Sequence, residues 1–243
     1  MEFTRVDDVT SRDGYPVPAF LFESASAQAG VVVSHGYGSS KEEWLGAAAY
    51  LAEAGFAVLA IDLRGHGENT TPIGPGVLDD LMGGLAYMRR YGAVAAVGHS
   101  LSGRLSLMTD ADVVVAISPS VVQEVSEFGT WMFENLPSPF VREPYSGYVI
   151  ELLKELGEVP TFSGPALLLY SARDIPNIIA GTKGLADRLP QAELREITDQ
   201  VRPDISSDQP LVRYLPRWFN HLELRANRQV LEGVPAWLKE QLN

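Results

Sequence analysis

The chain has no cysteine, so any nucleophile in it must be oxygen or nitrogen, and disulfides and cysteine-based zinc or iron–sulfur sites are excluded. One serine is placed to serve. Val97-Gly98-His99-Ser100-Leu101-Ser102-Gly103 lies between an apolar run and a segment of helical pattern. A hydroxyl attacks well only when a base takes its proton and the backbone holds it clear of its surroundings. A sharp strand-to-helix turn does the latter, and it needs very small residues two positions to either side. Gly98 supplies the first, while Ser102, followed by Gly103, stands where a second glycine is usual.

Attack on a carbonyl creates an oxyanion that needs donors. Ser34-His35-Gly36-Tyr37-Gly38-Ser39-Ser40 follows the apolar run Val31-Val32-Val33, and its glycines let the chain fold back. The backbone N–H of Tyr37 is thereby expected to aim at the same point as that of Leu101, which opens the helix after Ser100 and adds the positive end of its dipole. A third polar turn, Asp62-Leu63-Arg64-Gly65-His66-Gly67, again follows an apolar run, at the strand end where α/β sheets place their ligand crevices.

Taken in order, strand, H-G-x-G, helix, strand, D-x-R-G-H-G, helix, strand and G-H-S-x-S-G resembles the α/β-hydrolase superfamily, over nearly the whole chain. The resemblance implies nucleophile, acid and histidine in that order along the sequence. Of the four histidines, His35, His66 and His99 sit in glycine turns, with structural roles as loop anchor, turn residue and packing position. His221 is left as the base, in Phe219-Asn220-His221-Leu222-Glu223, just ahead of a final amphipathic helix; otherwise it is a surface histidine capping that helix. Asp174, in Tyr170-Ser171-Ala172-Arg173-Asp174-Ile175-Pro176, resembles the family's acid, which would orient the imidazole and stabilise its charged form. The alternative is that Asp174 caps the next helix. Asp199, Asp204 and Asp208 compete for the acid's role.

The elements that must position these residues follow from hydrophobic periodicity. Residues 3–10 and 16–22 are β-rich around the turn Arg12-Asp13-Gly14 and form an opening hairpin. Continuous apolar runs at 31–33, 57–61, 93–97, 113–117 and 166–170 fit strands covered on both faces, and residues 192–197 form the last strand. Helical patterns cover 41–54, 77–91, 101–109, 176–189 and 222–242. The expected architecture is α/β: one α/β-hydrolase domain over 1–243, its mostly parallel sheet flanked by helices.

One stretch breaks the alternation. Residues 119–164 hold Phe128, Trp131, Met132, Phe133, Phe140, Tyr145 and Tyr148 with Pro137, Pro139 and Pro144, and form an inserted cap. Trp131, Met132, Phe133 and Phe140 are the expected pocket wall, although aromatic residues there also pack the insert onto the domain. The connection 199–220 is long; Arg202, Arg213, Tyr214, Arg217, Trp218 and Phe219 lie on it. It reads either as a second wall of the site or, preferentially, as a solvated loop packed through its aromatics.

Composition sets the outer limits. With 19 Lys+Arg against 31 Asp+Glu the formal charge is −12, which argues against nucleic acid or an anionic membrane as partner. No apolar run approaches the roughly 20 residues that span a bilayer. The acidic start, residues 1–18, carries no signal-peptide pattern, so a cytoplasmic location is expected. Glu42-Glu43 and Asp79-Asp80 open predicted helices, where negative charge suits the dipole. With no H-E-x-x-H, EF-hand or P-loop pattern, no metal and no cofactor are expected. The sequence therefore points to a serine hydrolase, monomeric or homodimeric, that cleaves small esters with an apolar acyl group through Ser100, His221 and Asp174. A thioesterase or a cofactor-free perhydrolase would use the same residues, and a catalytically silent binder of small apolar molecules is the alternative of another class.

Overall fold

A computed structural model describes residues 1–24, 27–121, 125–136 and 138–242; residues 122–124 and Pro137 of the insert lie outside the described residues. Eight strands form one sheet in the order β1-β2-β4-β3-β5-β6-β7-β8. They are β1 Glu2–Val6, β2 Ala19–Glu23, β3 Ala29–Ser34, β4 Ala57–Ile61, β5 Ala93–His99, β6 Val113–Ile117, β7 Ala166–Ser171 and β8 Ala192–Ile197. β1 and β2 make the expected antiparallel hairpin and β2 also runs antiparallel to β4, whereas every pair from β4 through β8 is parallel.

The central strands are buried on both faces because helices cover both. Successive side chains alternate: Val94 and Ala96 of β5 join one core with Leu81, Leu85 and Leu105, while Ala95 and Val97 join the other with Leu51, Trp237 and Leu238. The helices are α1 Leu45–Glu53, α2 Val77–Met88, α3 Leu101–Ser106, α4 Glu127–Asn135, α5 Tyr148–Glu155, α6 Pro176–Ala186, α7 Pro210–Leu222 and α8 Arg228–Leu242. The segment expected as a cap leaves β6 and returns to β7 carrying α4 and α5. Among the described residues no helix is long and apolar enough to cross a membrane.

The end of the chain corrects the sequence reading. Half of the expected 199–220 loop is helix α7, which opens on Pro210 and carries Pro216 in its interior. The final helix does not begin at Leu222. The chain passes through a short turn, Glu223–Ala226, and Asn227 is extended at φ −74°, ψ 133°. Asn227 Oδ1 accepts the N–H of Gln229 at 2.9 Å, an asparagine cap that starts α8 afresh. His221 therefore stands in the last turn of α7.

Candidate active site

Ser100 joins β5 to α3 with φ 54° and ψ −112°, a region that a residue with a side chain rarely enters and that persists only when the surroundings enforce it. The enforcement is visible. Ser100 N–H donates to Ile117 O at 2.9 Å, and Ser100 O accepts from the N–H groups of Ser120 and Arg104 at 2.9 and 3.2 Å. Helix α3 then crosses so close to β5 that a Cβ on Gly98 would lie 2.2 Å from Ser102 O. Ser102, where a glycine was the sequence norm, earns its hydroxyl: Oγ donates to His35 O and lies 2.7 Å from Ser34 Oγ, all of it buried. Those bonds tie the first turn of α3 to the loop after β3. On that loop a Cβ on Gly36 would lie 2.9 Å from Ser100 Cβ, so the peptide leading to Tyr37 is packed against the serine turn, and Leu101 is the first residue of α3.

Asp174 lies in the turn after β7 and is fully buried. Its Oδ1 accepts from His221 Nδ1 at 3.0 Å and from Ile175 N–H at 2.7 Å, and its Oδ2 accepts from Ser118 Oγ. Because a carboxylate only accepts, Nδ1 carries a proton and the neutral ring keeps its lone pair on Nε2. Helix α6 opens at Ile175 with no side-chain cap, so the capping reading of Asp174 does not hold. Asp199, Asp204 and Asp208 are all exposed; Asp204 pairs with Arg217 at 2.8 Å and Arg173 at 3.8 Å instead.

The other three histidines occupy the structural positions that their turns suggest. His35 Nδ1 donates to Gly36 O at 2.8 Å while Nε2 accepts from Leu63 N–H at 3.2 Å, and His66 Nδ1 donates to Arg64 O at 3.0 Å. His99 Nε2 donates to the backbone carbonyl of His221 at 3.1 Å, and its ring lies between those of Trp44 and His221, with centroids 5.4 and 4.6 Å away. Burial opposes the charged imidazole, so His35 is pushed down to about 4, His66 to about 3, and His99 well below its usual range.

Ser100 and His221 line one cleft that encloses about 880 Å³ of empty space, part of it open to solvent. Met132 and Phe133 belong to its wall, and Phe133 packs edge-on against Tyr37 at 5.5 Å. Trp131 and Phe140 do not line it. They are 45% and 42% exposed; Trp131 stacks on Phe128 at 6.1 Å, and Phe140 contributes its carbonyl to Gly67 N–H at 3.0 Å. On α4 the inward face carries Met132, 8% exposed, and Phe133, while Trp131 falls on the side turned to solvent. The preference for a solvated 199–220 loop also fails in part, because Tyr214 and Trp218 of α7 line the cleft. Their spacing of four places them on one helical face, a signal present in the sequence and masked by the prolines around it.

Glu42, Asp62 and Glu68 bring carboxylate oxygens within 4.8 Å of one another, close enough to hold a cation. The ammonium of buried Lys41 already lies among them, 2.7, 2.7 and 2.8 Å from Glu42, Asp62 and Glu68. The cluster thus holds its own cation and ties the turn before α1 to the loop after β4. Asp80, read as a helix-dipole residue, is buried against Arg64 at 2.8 Å.

The sequence pattern of the alpha/beta hydrolase family matches residues 31–238, most of the chain, and the protein belongs to that family. A search of curated proteins finds no match to the sequence. Among solved structures, the fold is similar to a malate-bound thermophilic esterase of Thermogutta terrifontis at TM-score 0.67 and 17% identity, over 99% of this chain and 100% of that one. An esterase of Pyrococcus furiosus aligns at TM-score 0.66 and 19% identity, over 100% and 94%. The ferulic-acid-bound esterase Est1E of Butyrivibrio proteoclasticus aligns at 0.67 and 17%, over 98% and 99%.

Proposed function

We propose that the protein hydrolyses carboxylic esters with an apolar acyl group, using Ser100 as nucleophile, His221 as general base and then acid, and Asp174 to orient the imidazole. The observation that carries this reading is the Asp174–His221 hydrogen bond, which leaves Nε2 of a cleft-lining imidazole to take a proton in the cleft that Ser100 also lines. That three structural relatives are named esterases supports the same class.

His221 Nε2 takes the Ser100 proton as Oγ attacks the ester carbonyl. The N–H groups of Tyr37 and Leu101 stabilise the oxyanion, a contribution worth roughly 100- to 1,000-fold in rate per donor. His221 returns the proton to the departing alcohol, and water, activated by the same imidazole, releases the acid from the acyl-enzyme. The wall of Met132, Phe133, Leu153 and Ile178 suits an apolar acyl chain, with the 119–164 insert as a cap over it. Thioester hydrolysis and perhydrolysis would run through the same residues.

A panel of p-nitrophenyl esters graded by acyl length, beside Ser100→Ala and a fluorophosphonate probe, tests this. Hydrolysis lost in Ser100→Ala and a covalent adduct on Ser100 are expected. Wild-type protein that is folded, unlabelled and inactive on every ester would instead identify a silent binder.

A further inference from the structure

The cleft has two chemically different ends. One is lined by Val125, Met132, Phe133 and Leu153 of the insert with Ile178 and Tyr214, and the other by Ser39, Leu222 and Arg225 beside Trp44. Arg225, in the turn that follows α7, reaches across to the turn before α1. Its Nη2 donates to Glu43 Oε1 at 3.0 Å and its Nη1 to Leu222 O at 2.7 Å. Ser39 Oγ donates to the other oxygen of Glu43 at 2.6 Å. Arg225 and Ser39 line the cleft, Glu43 bonds to both without bordering it, and the Arg225 and Glu43 side chains each keep 29% exposure, so the group is not sealed within the core. A guanidinium has five N–H donors, and these two bonds use two of them.

We infer that this polar end holds the leaving alcohol of the ester and selects alcohols that carry further hydroxyl groups, such as a glycerol or sugar moiety, through Arg225 and Ser39, which Glu43 holds in place. The inference rests on the proposed roles of Ser100 and His221. The departing oxygen must lie within hydrogen-bond reach of the imidazole that protonates it. The alcohol therefore leaves on the His221 side of the reacting carbon, and Arg225, one helical turn beyond His221, borders that space. The acyl chain is left with the apolar end.

Charge decides which alcohols fit. Glu43 neutralises Arg225 at 3.0 Å, so the pair offers little net attraction to a carboxylate, whose own dehydration would be unrewarded. A hydroxyl can accept from the guanidinium and donate to Ser39 Oγ. An alkyl alcohol would displace water from the pair and return no hydrogen bond.

The test compares the glycerol monoester of hexanoic acid with propyl hexanoate, following acid release by pH-stat in wild type, Arg225→Met and Glu43→Gln. The quantity read is the ratio of the two kcat/KM values, which cancels any general loss from a disturbed His221. Wild type is expected to favour the glycerol ester roughly 10- to 100-fold, the scale of a hydrogen bond to a charged group, and Arg225→Met to bring the ratio close to one. Glu43→Gln unmasks the guanidinium, so the glycolate ester of hexanoic acid should gain relative to the glycerol ester. A wild-type ratio near one, or a ratio unchanged in Arg225→Met, overturns the inference and leaves the esterase reading standing. Failure of wild type to release acid from either hexanoate or from any p-nitrophenyl ester overturns the esterase reading, and this inference with it.

Discussion

His221 Nδ1 and Asp174 Oδ1 meet at 3.0 Å across 47 residues of sequence, and the carboxylate that receives this bond is fully buried. A buried carboxylate with such a partner is hard to replace. Asp174→Asn is expected to lower kcat roughly a thousand- to ten-thousand-fold, because an amide at that position can present a donor to Nδ1 and favour the wrong tautomer. Asp204→Asn removes only exposed ion pairs, worth about 0–1 kcal/mol, and should leave kcat near wild type. Steady-state kinetics on one ester separates the two, and equal losses would show that Asp174 has no special part.

Ser118 had no place in the sequence reading, yet its Oγ donates to Asp174 Oδ2 from a position at the end of β6 with φ 47°. Ser118→Ala leaves a buried carboxylate oxygen without that donor. Stability should fall by about 1–3 kcal/mol, read from the urea midpoint, and kcat should fall about tenfold as the aspartate loses its fixed orientation. Substrate KM should stay where it is, since Ser118 does not border the cleft; a change confined to KM would refute the positioning role.

What the sequence revealed depended on period and punctuation. The β3–β7 runs are apolar at nearly every position because helices cover both faces, so they read as strands without ambiguity. Ser100, Asp174 and His221 each stand at the end of an element, where the surrounding glycines or the order of segments mark them. The edge between 199 and 222 was harder. Pro210 and Pro216 look like loop punctuation, but Pro210 stands at the helix start, where a proline lacks only an N–H that would go unused, and the helix continues through Pro216, so that Tyr214, Trp218 and His221 fall on one face of α7. Trp131 against Met132 was a question of helical phase, which apolar composition does not fix. Ser118, Ser102 and the Arg225–Glu43 pair are small or polar residues whose meaning lies in contacts from distant segments. No local pattern announces them.

The backbone of Ser100 gives a prediction about stability in addition to rate. At φ 54°, ψ −112° a residue with a Cβ stores on the order of 1–3 kcal/mol of strain, whereas glycine is free of it. Ser100→Gly should therefore unfold about 1 kcal/mol harder than Ser100→Ala, even after the roughly 0.5–1 kcal/mol that glycine ordinarily loses to chain entropy. Both variants lack the nucleophile and should be inactive. Urea denaturation of the pair decides the matter, and Ser100→Ala proving the more stable would mean the turn is relaxed.

Acid sensitivity follows from the buried histidines. Burial holds His35 at about 4 and His66 at about 3, while in the unfolded chain each takes up a proton near 6.5. Between those limits the unfolded state binds more protons, so the stability that these groups leave intact above pH 6.5 is lost as pH falls toward 4 and 3. The slope is roughly 1.4 kcal/mol per pH unit for each such histidine, and His99, lowered in the same direction, adds to it. His66 offers a clean test, because its Nε2 has no hydrogen-bond partner among the described residues and only Nδ1 donates, to Arg64 O. His66→Gln can keep that donor and removes the titration. Urea midpoints at pH 7.5, 6.0 and 5.0 should fall more steeply for wild type than for the variant, by about 1.4 kcal/mol per unit below pH 6.5. Parallel curves would mean that His66 does not resist protonation in the folded protein.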